Sequence, residues 1–224
     1  MPRIARAIVP GVPHHVTQRG NFQQDVFLTD EDREQYLAWL AQYAARFRTR
    51  FWAWCLMSNH VHFVAVPERE DALARTLHHT HQRYAQYLNR RLGRRGHLWQ
   101  GRFFSCALDE QHAYLAVRYV ERNPVRAGLV ERPEEYRWSS ARGHVGRCAD
   151  PLVARGDAFS ESIPDWSAYL SEGEPAEWRG ALRRATLTGR PLGEGGFVKK
   201  IERALGRRLH ALAPHRPPKS EGRA

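Results

Sequence analysis

The chain has 224 residues, 42% of them hydrophobic, enough for one good-sized core with an appendage, and 35 Lys+Arg against 24 Asp+Glu give it a formal net charge of +11. No apolar run is long enough to cross a bilayer, and the opening MPRIARAIVPG lacks the apolar stretch of a signal peptide, so the sequence predicts a soluble, cytoplasmic protein without a membrane partner. The basic excess is almost entirely arginine, whose flat bidentate guanidinium fits phosphate and stacks on bases; this charge nominates a polyanion, although a GC-rich genome also writes arginine.

Pro13 to Gly20 reads as a first short strand and Asn21 to Leu28 as a loop. Thr29 and Asp32 form a capping-box pattern, and Tyr36, Leu37, Leu40, Tyr43, Ala44 and Phe47 recur at helical spacing, so a first helix follows. Phe51 to Met57, apolar on both faces, turns through Ser58-Asn59 into His60 to Val66, a hairpin expected in the middle of a sheet covered on both sides. Leu73, Leu77, Tyr84, Leu88 and Leu92 mark a long second helix ending at Gly93, and Leu98 to Leu108 is a fourth extended stretch. Asp109 caps a third helix running to about Asn123, where Pro124 stops it, and a short helix is expected around Pro133 to Arg142. The order β-α-β-β-α-β predicts an α+β fold, a ferredoxin-like antiparallel sheet with helices on both faces.

Beyond Gly146 the composition shifts to Pro, Gly, Ser and Asp, then to helices over Trp178 to Thr186 and Phe197 to Leu212, weakly suggestive of a helix-turn-helix. The expected organisation is a domain over 1–146, a small helical appendage of unassigned role over 147–212 and a disordered basic tail over 213–224. Cys55, Cys106 and Cys148 are too scattered for a disulfide framework or a CxxC site and read as reduced, buried thiols.

Two histidines interrupt the second hairpin strand. Because strand side chains alternate, His60 and His62 share one face while Val61, Phe63 and Ala65 take the other, so two imidazoles enter one small space. On the third helix Tyr119 and Asn123 lie one turn apart on a common face, which a half-packed tyrosine and a helix-terminating asparagine would also explain. Arg90-Arg91-Leu-Gly-Arg94-Arg95-Gly-His97-Leu-Trp99-Gln-Gly-Arg102 mixes cations with aromatic rings, a combination suited to single-stranded nucleic acid. His14, His15, His78, His79 and His81 read as surface or core histidines without a ligand set.

His60-Val61-His62 together with Tyr119-Val-Glu-Arg-Asn123-Pro124 resembles the signature of the single-tyrosine HUH, IS200-like transposases. PHHVTQRGN, WCLMSNHVHFV, GHLWQGRF, YVERNPVRAGLV and YRWSSAR, in that order over residues 1–146, narrow the resemblance to the REP-associated tyrosine transposases. The resemblance implies that Tyr119 attacks the scissile phosphorus of single-stranded DNA flanked by hairpins of palindromic repeats, leaving a 5′-phosphotyrosine and a free 3′-OH for rejoining. It implies that His60, His62 and Asn123 hold a divalent cation, Mg or Mn. Arg90, Arg91, Arg94, Arg95, Trp99, Arg102, Arg122 and Arg126 are the expected DNA contacts, and the chain would act as a monomer or homodimer. A non-catalytic ferredoxin-like nucleic-acid-binding protein and a nuclease using metal-bound water are the alternatives.

Overall fold

The computed structural model describes residues 6–153 and 158–210, so the expected basic tail lies outside the described residues. Strands β1 (His14–Arg19), β2 (Thr49–Leu56), β3 (His60–Pro67) and β4 (Phe104–Ala107) form one antiparallel sheet in the order β2-β3-β1-β4, the ferredoxin-like arrangement. The helices are α1 (Asp30–Phe47), α2 (Ala72–Arg91), α3 (Glu110–Glu121), α4 (Asn123–Arg126), α5 (Ala141–His144), α6 (Ala158–Glu161), α7 (Trp166–Ser171), α8 (Ala176–Thr188) and α9 (Gly195–Leu205). None of the described helices is long and apolar enough to cross a membrane.

Strand parity divides the protein into two cores. Val16, Phe51, Trp54, Leu56, Val61, Phe63 and Ala65 point from the sheet onto Tyr36, Leu37 and Leu40 of α1 and Leu73, Leu77, Tyr84 and Leu88 of α2. Ala53, Cys55, Val64, Cys106 and Leu108 point the other way, onto Ala113, Ala116, Val117 and Val120 of α3. A bulge between Phe51 and Ala53 lets Trp52 stack on Phe159 instead of keeping strict alternation. Thr29 and Asp32 close the α1 capping box as the sequence predicts.

Several local expectations are revised. The second strand is an edge of the sheet, not its middle; its free side is covered because Leu56 N–H donates to the Trp138 carbonyl and Ser140 N–H to the Trp54 carbonyl, at 2.9 and 3.0 Å. The segment expected as a helix over 133–142 is therefore largely an edge cover, flanked by a 3₁₀ turn and α5. The fourth strand is shorter than 98–108. Pro124 does not end helical structure but is the second residue of α4, in the first turn where its missing N–H is no loss. Cys55 and Cys106 are buried, whereas Cys148 is exposed.

Residues 158–192 pack on the same sheet: Phe159, Ile163, Trp166, Leu170, Leu182 and Ala185 belong to the α3-side core. In contrast, α9 packs Ile201 against Ala7 and Leu209 in a separate small cluster, so α8 and α9 do not share one helix-turn-helix core.

Candidate active site

Strand β3 presents His60 and His62 on the α3 side, with ring centroids 5.0 Å apart and planes at 84°. Each ring has its Nδ1 engaged: His60 Nδ1 lies 2.6 Å from Asn59 Oδ1, and His62 Nδ1 lies 3.1 Å from His15 Nε2. Hydrogen-bond logic assigns the tautomers. Thr186 donates its hydroxyl proton to the Leu182 carbonyl, so its oxygen accepts from His15 Nδ1, both at 2.8 Å. A neutral His15 protonated at Nδ1 accepts at Nε2, which makes His62 the donor through Nδ1; Asn59 Oδ1 likewise accepts from His60 Nδ1. Both histidines of the pair thus keep an unprotonated Nε2, the form that ligates a metal.

Burial keeps these rings neutral. It pushes His15 down to about 3, with the Arg126 charge adding, and His60 down to about 4, with Arg19 adding. It holds His62 well below the ordinary imidazole value, with His15 and His60 as the next contributors.

Tyr119 stands beside this set from α3, its ring meeting His15 and His62 edge-on at 5.8 Å each. Asn123, one turn on, opens α4; its side chain makes no cap, Arg122 being the residue that ends α3, and its Nδ2 is buried with no hydrogen-bond partner. His60, His62, Tyr119 and Asn123 line one cavity of about 530 Å³, together with His15, Thr17 and Arg183. Among the described residues no group of three or more His, Cys, Asp or Glu is placed to hold an ion. Two neutral imidazoles and an amide nevertheless form a donor set that fits a divalent ion of the manganese kind better than all-oxygen magnesium, and it leaves coordination positions for substrate oxygen or water.

The cations nearest Tyr119 in sequence do not reach its hydroxyl. Arg118 pairs with Glu172 at 2.8 Å and lies over the Tyr169 ring. Arg122 donates to the Leu170 and Ser171 carbonyls at 2.6 and 3.1 Å. Arg126 pairs with the buried Glu174 at 3.4 Å, donates to the Tyr119 carbonyl at 2.5 Å and lays its guanidinium 4.0 Å from the centre of the Tyr119 ring. The hydroxyl itself accepts from Arg183 Nε of α8 at 3.4 Å.

Of the other expected DNA contacts, Arg90, Arg94, Arg95 and Arg102 are exposed. Arg91 pairs with the buried Asp32 at 2.6 Å, and Trp99 is mostly core, its indole N–H donating to the His81 carbonyl. Trp99 and Arg102 line a second cleft, of about 710 Å³, against α2.

Sequence reasoning missed His15, Thr186 and Arg183. His15 had a signal: in β1 it shares a face with Thr17, and Thr17 pairs with His62 across the sheet. Arg183 and Thr186 had none, because only tertiary packing brings α8 to the cavity.

Residues 10–123 match the family model described as "Transposase IS200 like", half of the chain and the part that contains His60, His62, Tyr119 and Asn123. The chain belongs to this family and is a transposase. No curated protein matches it. Among solved structures it is similar to a REP-associated tyrosine transposase bound to a REP hairpin, at 19% identity over 70% of this chain and 93% of that one, with a TM-score of 0.54, which supports the shared fold. A weaker likeness is to a transposase candidate of Deinococcus radiodurans R1, at 18% identity over 54% of this chain and 97% of that one, TM-score 0.38.

Proposed function

We propose that the protein is a single-stranded DNA strand transferase in which Tyr119 is the nucleophile, His60, His62 and Asn123 hold a divalent cation, and the DNA carries hairpins of palindromic repeats. The observation that supports this reading best is the convergence of these four side chains on one cavity. A cation bound there would polarise the scissile phosphoryl group and offset its growing charge. The residues do the rest. The unprotonated Nε2 atoms of His60 and His62 are aligned by Asn59 and His15, and Asn123, which lines the same cavity, would supply its amide oxygen as a third ligand. The Tyr119 oxygen attacks phosphorus, and the 3′ oxygen leaves with a proton, so the phosphodiester's reactivity is kept for rejoining rather than lost to hydrolysis.

The four side chains line one cavity within one chain, which supports cleavage by a single copy. Exposed Arg90, Arg94, Arg95 and Arg102 supply cations for the DNA backbone, in the cytoplasm where the DNA lies. Incubating the protein with Mn²⁺ and the single-stranded DNA flanking its own coding sequence should give a covalent complex stable on a denaturing gel. Tyr119→Phe should abolish that complex, by at least about 10³-fold, while hairpin affinity stays within a few-fold. Binding without cleavage would instead make the chain a nucleic-acid-binding protein, and cleavage without an adduct would make it a nuclease using water.

A further inference from the structure

Arg183 lies outside the residues that match the family model, on a helix whose sequence announces no chemistry, yet it is the side chain that touches the Tyr119 hydroxyl. Its placement is built into the fold. On the buried side of α8, Leu182 and Ala185 join the α3-side core, and Thr186 hydrogen-bonds His15. Trp178, one turn before Leu182, meets the Tyr119 ring edge-on at 6.1 Å.

The chain leaving α8 is then joined to the start of α3: Leu192 N–H donates to the Ala107 carbonyl at 2.8 Å, and Asp109 N–H to the Leu192 carbonyl at 3.2 Å. Asp109 uses one carboxylate oxygen to cap α3 through His112 N–H and the other to accept from Glu194 N–H, both at 2.9 Å. A Cβ added at Gly193 would sit 2.7 Å from that second oxygen, so the close approach requires glycine. The segment that follows α8 is therefore tied to the start of α3 by two backbone hydrogen bonds and one carboxylate, while α8 itself is placed by its packing on the α3-side core.

The charge on Arg183 also differs from that of its neighbours. Arg118 and Arg126 are each paired with a carboxylate, and Arg126 faces the ring and carbonyl of Tyr119 rather than its oxygen. No carboxylate pairs with Arg183 among the described residues, and its side chain lines the cavity.

We propose that Arg183 is a catalytic residue that stabilises the negatively charged Tyr119 oxygen in both halves of strand transfer, an inference that rests on Tyr119 being the nucleophile. In cleavage the Oη–P bond forms, the P–O3′ bond breaks and the phenol's proton ends on the 3′ oxygen. In rejoining, an incoming 3′-OH attacks phosphorus, the P–Oη bond breaks and the proton returns to the phenolate. Tyr119 carries charge first as nucleophile and then as leaving group, so one guanidinium beside its oxygen serves both steps.

The test uses the full chain with Mn²⁺ and a single-stranded oligonucleotide copied from the hairpin and flank beside its own coding sequence. Arg183→Gln should slow formation of the covalent adduct and its resolution by an added 3′-OH strand by comparable factors, about 10–100-fold, with Arg183→Lys recovering part of the loss. A readout independent of turnover comes from 3,5-difluorotyrosine at position 119, a more acidic phenol with its own phenolate absorbance. In the protein alone that absorbance should rise at higher pH in Arg183→Gln than in the parent, and the substitution should restore adduct formation more in Arg183→Gln than in the parent. An unshifted titration with unchanged rates overturns the proposal and leaves Arg183 a surface residue of α8. If Tyr119→Phe still forms the adduct, the reading of the nucleophile fails; if that variant is silent while Arg183→Gln is normal, only the role of Arg183 fails.

Discussion

His15 and His81 are both buried, and burial pushes both down to about 3, yet they lie on opposite sides of the sheet and have different partners. His81 keeps its hydrogen bond inside the α1–α2 core, its Nε2 meeting the Tyr36 hydroxyl at 2.9 Å and its ring packing 4.6 Å from Trp99, beside the second cleft that it helps to line. The contacts of His15 lead outward, from Thr186 behind it to His62 in front, and His62 opens on the cavity. Burial and a depressed pKa therefore do not by themselves mark a functional histidine. What separates the two is the direction in which the hydrogen-bond chain runs.

The sharpest break between the two sides comes from neighbours in β3. His62→Ala should lose metal-dependent cleavage by about 10²–10³-fold with the fold intact, whereas Phe63→Ala, on the opposite face, should cost about 3–5 kcal/mol of stability and reduce cleavage only as far as it unfolds the protein. Cleavage rates and denaturant melts of both variants check this, and normal cleavage by His62→Ala would remove it from the site. A smaller contrast separates the two buried histidines. His15→Phe should raise the Mn²⁺ needed for half-maximal cleavage about 10–100-fold, while His81→Phe leaves that requirement unchanged and costs about 1–3 kcal/mol through the stranded Tyr36 hydroxyl.

His81 also makes the α1–α2 core acid-sensitive, and the sign follows from its shift. Its folded value of about 3 lies below the ordinary 6.5, so as pH falls through that window the unfolded chain takes up the proton first. The stability is therefore full above the ordinary value and declines towards the folded one. His81→Phe should flatten that part of the decline, seen by comparing urea midpoints at neutral pH and near about pH 4.5.

The strand pair, the first three helices and the parity of His60 and His62 were legible because periodicity and caps are local. The α1 capping box and the Tyr119–Asn123 spacing need only a few consecutive residues to specify them. What was not legible depends on distant packing: the edge position of β2, its cover by residues 138–140, and the arrival of α8 beside Tyr119. The same limit hides the partners of Arg118, Arg122 and Arg126: Glu172 and Glu174 lie about fifty residues further along the chain, and nothing in the helices that bear the arginines announces them.

Asn123 offers the smallest effect and the most pointed one, since it separates a ligand from a cap. Its Nδ2 is buried without a partner and its side chain caps neither α3 nor α4, so Asn123→Ala removes an unsatisfied polar group and should leave the melting temperature unchanged or slightly raised. A capping asparagine would instead cost about 1 kcal/mol on the same substitution. If the amide helps hold the cation, Asn123→Ala should raise the metal concentration for half-maximal cleavage several-fold, and Asn123→Asp should restore it with a changed preference between Mg²⁺ and Mn²⁺, because a charged oxygen replaces a neutral one. Titrating each metal against cleavage rate in the parent and both variants, beside their melting temperatures, decides the matter. An unshifted metal curve in Asn123→Ala would take Asn123 out of the site and leave His60 and His62 as the protein's only ligands there.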